Sequence, residues 1–282
     1  MINPMITRRE AVYLLGSFSI GAYLKAAQPA GPSGPLSPER MALIEAFRKK
    51  SEGLEKRFEA RQHKSGWTMP YRLFRPESTT KAPLVIFLHG SGGQGDDNEK
   101  QMSLGNIFGT RVWALPENQK RFPCYVVVPQ TDRGWIRYDE TKAIPGFGDG
   151  ARMALEVVDA LRREFPIDDH RIYIAGQSLG GAGVWNAITY RPRFFAAALI
   201  CCAGQSPDDG TGSIETPLWA FHGDSDKTVP VAATRDRIAA RKKAGGRPRY
   251  TEYAGVDHNV WQWAFTEPEL LKWVFAQRRL GS

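Results

Sequence analysis

From Tyr71 to the C-terminus, short unbroken apolar runs alternate with longer amphipathic stretches, and this alternation is the strongest constraint on what the chain can fold into. Strands are expected at Tyr71–Arg75, Leu84–Leu88, Tyr125–Val128, Ile172–Ala175, Ala196–Ile200, Leu218–Phe221 and Arg249–Tyr253. Strands buried on both faces read as continuous hydrophobic runs, the pattern of a parallel sheet covered by helices. Helices are expected between them, at about Asn98–Leu115, Ala151–Phe165, Leu179–Tyr190, Val231–Lys243 and Val260–Gln277. The pattern predicts an α/β fold with a mostly parallel sheet and helices on both faces. The connection from Cys202 to Leu218 is only about fifteen residues long, an ordinary length, so no lid domain is expected there.

Composition narrows the function classes. A chain of 282 residues with 42% hydrophobic residues can bury one sizeable core. The net charge of +8 is spread along the chain, with neither zinc-finger spacing nor an RNA-binding aromatic pattern, so nucleic acid is not an expected partner. The densest basic run, Arg235 to Arg249, reads first as the solvated face of a helix and second as an anion-preferring rim. Cys124, Cys201 and Cys202 all lie in apolar runs and read as buried small hydrophobes rather than a disulfide framework. None has a Cys or His at metal-ligand spacing, so no metal and no cofactor is expected.

The chemistry concentrates at Gly176-Gln177-Ser178-Leu179-Gly180, which follows the apolar run Arg171–Ala175 and precedes the helical stretch Ala182–Ala187. A Gly-x-Ser-x-Gly turn between strand and helix exposes its serine above the sheet, and the helix N-terminus favours negative charge developing there. The plainer reading is a glycine-rich turn whose serine only caps the helix. Upstream, Leu84–Leu88 runs into His89-Gly90-Ser91-Gly92-Gly93. Acyl transfer needs two N–H donors at the developing oxyanion. Those expected here are the backbone of Leu179 and of Ser91, with Gly92 as the alternative to Ser91. His89 reads as a hydrogen-bonding support for this loop.

A serine nucleophile needs a base, and the base an orienting acid. Of five histidines, His258 lies in a loop between the last strand and the last helix, downstream of the serine. Asp224, Asp226 and Asp257 compete for the acid. Asp226 is favoured because it lies past a strand end in a loop able to cross the sheet edge. Asp224 reads as a turn former, and the side chain of Asp257 is expected to diverge from the adjacent histidine. The resulting order, Ser178, Asp226, His258, suits this fold. Trp135 and Trp261 are the candidate substrate-binding aromatics, with Tyr138 and Phe147 as weaker ones, although ordinary packing explains each as well.

The runs His222-Gly223-Asp224-Ser225-Asp226-Lys227-Thr228-Val229-Pro230 and Tyr250–Trp261, together with the Gly-Gln-Ser-Leu-Gly-Gly elbow, resemble the predicted-peptidase and carboxylesterase branch of the α/β-hydrolases. That branch neighbours polyhydroxybutyrate-depolymerase-like and feruloyl-esterase-like enzymes. The resemblance covers residues 68–279 and implies the same triad, with an oxyanion hole at Ser91 and Leu179. It implies hydrolysis of carboxylic esters, small or polysaccharide-linked, including sugar or phenolic esters. Two alternatives are a serine peptidase of the same fold and a non-catalytic binding module; the presence of all three triad residue types argues against the second.

At the N-terminus, Arg8-Arg9 precede an uncharged stretch from Ala11 to Leu24 that is too short and too rich in small residues to span a bilayer. Residues 1–26 resemble a twin-arginine export signal, which would place the protein in the periplasm or outside the cell. Residues 27–37, rich in Pro, Gly and Ser, read as a linker. Residues 38–66 are expected to form an accessory helix opened by Ser37-Pro38, and residues 67–282 the main domain. The alternative for the first segment is an N-terminal helix of a cytoplasmic protein. Fractionation of cells expressing the chain is expected to recover it outside the cytoplasm; a full-length cytoplasmic product would remove the export reading.

Overall fold

A computed structural model describes residues 36–77, 80–137, 146–204 and 214–279. The expected export segment and nearly all of the expected linker lie outside them. Ten strands are present among the described residues: β1 (Glu59–Ser65), β2 (Trp67–Phe74), β3 (Ala82–Leu88), β4 (Tyr125–Pro129), β5 (Ile136–Arg137), β6 (Gly146–Phe147), β7 (Ile167–Gln177), β8 (Ala197–Cys201), β9 (Leu218–Gly223) and β10 (Arg249–Tyr253). The helices are α1 (Pro38–Ser51), α2 (Asn106–Arg111), α3 (Pro116–Arg121), α4 (Asp149–Glu164), α5 (Leu179–Tyr190), α6 (Val231–Lys243), α7 (Trp261–Ala264) and α8 (Leu270–Ala276).

Eight strands form one sheet in the order β1-β2-β4-β3-β7-β8-β9-β10, and β5 pairs with β6 apart from it. From β4 to β10 all pairings are parallel, while β1 and β2 run antiparallel at one edge. Alternate residues of the central strands feed two cores. Leu84, Ile86, Ile172 and Ile174 pack with α4 and α5 on one face. Val85, Phe87, Tyr173 and Ala175 pack with α1, α2, α7 and α8 on the other. This is an α/β-hydrolase fold, and no helix among the described residues is long and apolar enough to cross a membrane. No separate lid domain stands among the described residues; residues 205–213 of the connection after β8 fall outside them.

The segment 38–66 departs from expectation. The helix stops at Ser51, and residues 59–65 form β1, paired along its whole length with β2. Its sequence, EARQHKS, carries no apolar face because β1 is a largely exposed edge strand, held by contacts such as Arg61 Nη2 to Glu164 Oε1 at 2.8 Å. An apolar pattern could not reveal it. The sheet therefore begins before residue 67. The expected helix at 98–115 is broken by left-handed residues at Asn98 (φ 58°) and Leu104 (φ 50°). The one at 260–277 divides into α7 and α8 around Glu267-Pro268, where proline removes a helical N–H. Within the basic run on α6, Arg241 is buried, its Nη2 donating to the Thr216 carbonyl at 2.6 Å.

The join of β7 to α5 fixes the position of Ser178. A Cβ on Gly180 would overlap the carbonyl oxygen of Leu88, so only glycine lets the helix start this close to β3. Ser178 itself takes φ 52° and ψ −121°, a conformation that costs a residue with a Cβ about 1–3 kcal/mol. Its N–H donates to Cys201 O on β8 at 2.9 Å, which holds the turn in place. Ser178→Gly is expected to melt above Ser178→Ala by about 2–4 °C, roughly 1 kcal/mol of released strain after glycine's larger unfolded-state entropy. Both variants lack the hydroxyl, so thermal denaturation of the pair isolates the backbone; coincident melting curves would mean that the turn carries no strain.

Candidate active site

Parallel strands end at one edge of the sheet, and the loops that follow β3, β7, β9 and β10 bring together residues far apart in the chain. His258, in the loop after β10, lies between two partners. Its Nδ1 is 2.7 Å from Asp226 Oδ2, and its Nε2 is 2.9 Å from Ser178 Oγ. A carboxylate only accepts, so Nδ1 carries the proton and the lone pair of Nε2 faces the serine hydroxyl. Ser178 is half-buried, and the His258 side chain keeps 19% of its exposure, so the serine side of the ring is reachable.

Asp226 has a fully buried side chain. Its Oδ1 accepts the N–H groups of Thr228 and Val229, both at 2.8 Å, and Oδ2 accepts from His258. The other two acids do different work. Asp224 Oδ1 accepts from Ser225 Oγ and from Gly255 N–H, and Asp257 Oδ1 accepts the N–H groups of Lys227 and His258. Both stitch the loop after β9 to the loop after β10. Gly223 makes that contact possible, because a Cβ there would overlap the Val256 carbonyl oxygen. The contacts with its neighbours' N–H groups push the Asp257 carboxyl below its ordinary range.

The loop after β3 coils into a tight turn, with Gly93 N–H on Gly90 O at 2.9 Å and Gln94 N–H on Ser91 O at 3.2 Å. These bonds do not use the N–H groups of Ser91 and Gly92. Leu179, as the first residue of α5, has an N–H with no acceptor within the helix. Beneath the turn, His89 is fully buried. Its Nε2 accepts Thr131 N–H at 3.3 Å, so Nδ1 carries the proton and donates to Gly90 O at 2.8 Å. Burial pushes its pKa down to about 4, which keeps the ring neutral. The Asn106 Oδ1 atom accepts Gly90 N–H at 3.1 Å and ties the turn to α2. Sequence patterns did not single out Asn106, because one amide in a polar stretch carries no periodic signal.

The two tryptophans separate. Trp135, expected to bind substrate, is fully buried, with Nε1 donating to the His89 carbonyl at 2.9 Å and its ring 4.8 Å from that of His89. It braces the loop from below and presents no face to a ligand. Trp261 is half-buried, its ring at 87° to the His258 ring with centroids 5.6 Å apart, which puts it beside the Ser178–His258 pair. Tyr138 and the side chain of Phe147 lie outside the described residues. His63 faces Glu156, and His170 lies against the carbonyl of Arg279, both with partners outside this cluster.

All three cysteines are free and buried. Among the described residues, Cys202 Sγ, a carboxylate oxygen of Asp226 and a ring nitrogen of His258 lie within 4.8 Å of one another. Asp226 and His258 are engaged with each other, and burial holds the Cys202 thiol well above its ordinary range, a poor metal ligand.

The bifunctional acetylxylan esterase/xylanase of Neocallimastix patriciarum is 21% identical over 189 residues, 64% of this chain and 26% of that protein. The chain spans between about a quarter and about a half of the length of the curated relatives it matches. A solved thermostable esterase superposes with a TM-score of 0.75 and 35% identity, covering 80% of this chain and 64% of that one. A ferulic acid esterase superposes with a TM-score of 0.58 and 17% identity, covering 77% of this chain and 97% of that one, a likeness of fold. The family model described as phospholipase/carboxylesterase matches residues 74–267, a span that contains the turn after β3, the elbow and both downstream loops. The chain belongs to the phospholipase/carboxylesterase family.

Proposed function

We propose that the protein hydrolyses carboxylic esters through an acyl-enzyme on Ser178. The observation that carries this reading is His258, whose ring is hydrogen-bonded to Ser178 Oγ on one side and to Asp226 on the other. His258 Nε2 takes the hydroxyl proton as Oγ attacks the ester carbonyl, and returns it to the leaving alcohol. Asp226 keeps the ring in the Nδ1–H tautomer and stabilises its cationic form. The developing oxyanion is received by the N–H groups of Leu179 and Ser91, each worth about 3–4 kcal/mol in sites of this kind. Water, activated by the same histidine, then releases the acid. Trp261 forms an aromatic wall beside the reaction centre for the acyl or alcohol portion. The acetylxylan esterase and ferulic acid esterase that the chain resembles support sugar or phenolic esters, while acylaminoacyl peptidases share the fold and keep the peptidase as the second reading.

Wild-type protein is expected to turn over short-chain, feruloyl or acetyl-sugar esters faster than peptides, and to be labelled by a fluorophosphonate. Ser178→Ala is expected to lose labelling and at least about 10³-fold in kcat. Retained turnover in that folded variant would reject Ser178, and faster cleavage of peptides than of every ester would favour the peptidase.

The acid is tested by a pair of variants. Asp226→Asn is expected to lower kcat by about 10³–10⁴-fold through the wrong histidine tautomer, whereas Asp224→Asn leaves it within about threefold. A larger loss in Asp224→Asn would transfer the role.

A further inference from the structure

A second histidine reaches the same carboxylate. His222 is at the end of β9 with a fully buried side chain, and its Nε2 lies 3.1 Å from Asp226 Oδ2, the oxygen that also holds His258. The same Nε2 is 3.0 Å from the Val229 carbonyl. Both neighbours are acceptors, so Nε2 must carry a proton. On the other side of the ring, Nδ1 is 2.7 Å from Oγ1 of Thr234, a buried residue of α6. That hydroxyl also lies 3.2 Å from the Ala203 carbonyl.

The protonation state follows from these contacts. Burial holds His222 below the ordinary histidine range, outweighing the opposite pull of the Val229 carbonyl and Asp226. A neutral ring has one proton, which is on Nε2, so the single proton of the Thr234 hydroxyl turns to Nδ1 at 2.7 Å in preference to the Ala203 carbonyl at 3.2 Å. The remaining titratable groups near the ring are His258, from the loop after β10, and Glu252 of β10, which sits opposite His222 in the strand register and is bonded to Arg235.

We propose that His222 is a positioning residue for the Ser178–His258–Asp226 chain: its Nε2–H occupies the second site on Asp226 Oδ2, fixing the carboxylate's rotation and limiting its pull on His258. The proposal rests on Ser178 being the nucleophile. With Thr228 and Val229 on Oδ1, and His222 and His258 on Oδ2, each carboxylate oxygen has two donors. Remove His222, and Oδ2 has His258 alone. The carboxylate's charge then concentrates on that one bond and stabilises the protonated form of His258. The base is occupied by a proton up to a higher pH. The carboxylate also gains freedom to turn away.

The test compares wild type, His222→Phe and His222→Gln on p-nitrophenyl acetate from about pH 5 to about pH 9, with active sites counted by fluorophosphonate titration. His222→Phe keeps a flat aromatic ring and loses the donor. It is expected to move the acid limb of kcat/KM up by about half a pH unit or more and to lower kcat per titrated site about tenfold, with KM within about twofold. His222→Gln places an amide N–H near the same oxygen and is expected to restore the limb. An unmoved limb in His222→Phe, or an equal shift in both variants, would reduce His222 to a space-filling role and overturn the proposal. A measurement on wild type stands independently of how the variants fold. Two-bond ¹H–¹⁵N spectra of the histidine rings should show His222 as the Nε2–H tautomer at neutral pH, and the Nδ1–H tautomer would equally overturn it. Wild type that neither turns over esters nor takes the label would strike the nucleophile reading and this proposal together, whereas active wild type with an unmoved limb strikes His222 alone.

Discussion

The buried carboxylate of Asp226 is the group on which the geometry of the site depends. A carboxylate taken out of water costs several kcal/mol unless its lone pairs are filled, and those of Asp226 are filled by donors from three places. Two are backbone N–H groups of its own loop, which bend the chain toward Val229-Pro230 and the start of α6. One is the ring at the end of β9, and one is the ring from the loop after β10. Satisfying one charge therefore fixes three pieces of chain against one another. The orientation of His258 is a consequence: with Nδ1 committed to Asp226, Nε2 faces Ser178.

Ser178 is held in a different way. Its left-handed backbone is unfavourable, and the surrounding structure enforces it through the bond to Cys201 O and the close seating of α5 on β3 at Gly180. The parallel sheet makes both arrangements compatible. β3, β7, β8, β9 and β10 are successive neighbours, so the loops leaving their carboxyl ends open on the same edge. A ligand crevice at that edge is the general outcome of open α/β sheets. Stability invested in the central strands is in this sense what tolerates a strained serine and a buried charge at their ends.

How much of this was legible in the sequence depended on burial. The central strands are buried on both faces, so β3, β4 and β8 read as unbroken apolar runs. The helices α5 and α6 begin and end where the pattern places them, because each runs uninterrupted between strong boundaries. β1 was not legible: a largely exposed edge strand, tied down by arginine–glutamate contacts, needs no apolar residues. The breaks at Leu104 and near Pro268 were missed for another reason. A helical period continues across them, while the backbone is set by a left-handed residue in one case and a proline in the other.

Side-chain placement was legible only where the residues admit few arrangements. A serine between two close-packed glycines, or an aspartate and a histidine in consecutive strand-end loops, admits few arrangements. Tryptophan and histidine admit many, since each combines an apolar body with a polar edge. Trp135 and Trp261 follow similar strand-end contexts, yet Trp135 turns its N–H inward to the His89 carbonyl and is lost to solvent, while Trp261 stays half-exposed beside His258. His89 and His222 both close buried strands, and both are neutral rings with one proton. What separates them is the acceptor each proton meets. At His89 it is a backbone carbonyl, so the ring shapes a turn; at His222 it is the Asp226 carboxylate, so the ring acts on charge. That acceptor is four residues away from His222 in sequence, but the contact exists only because the loop between them folds back over the strand end, which no linear pattern states.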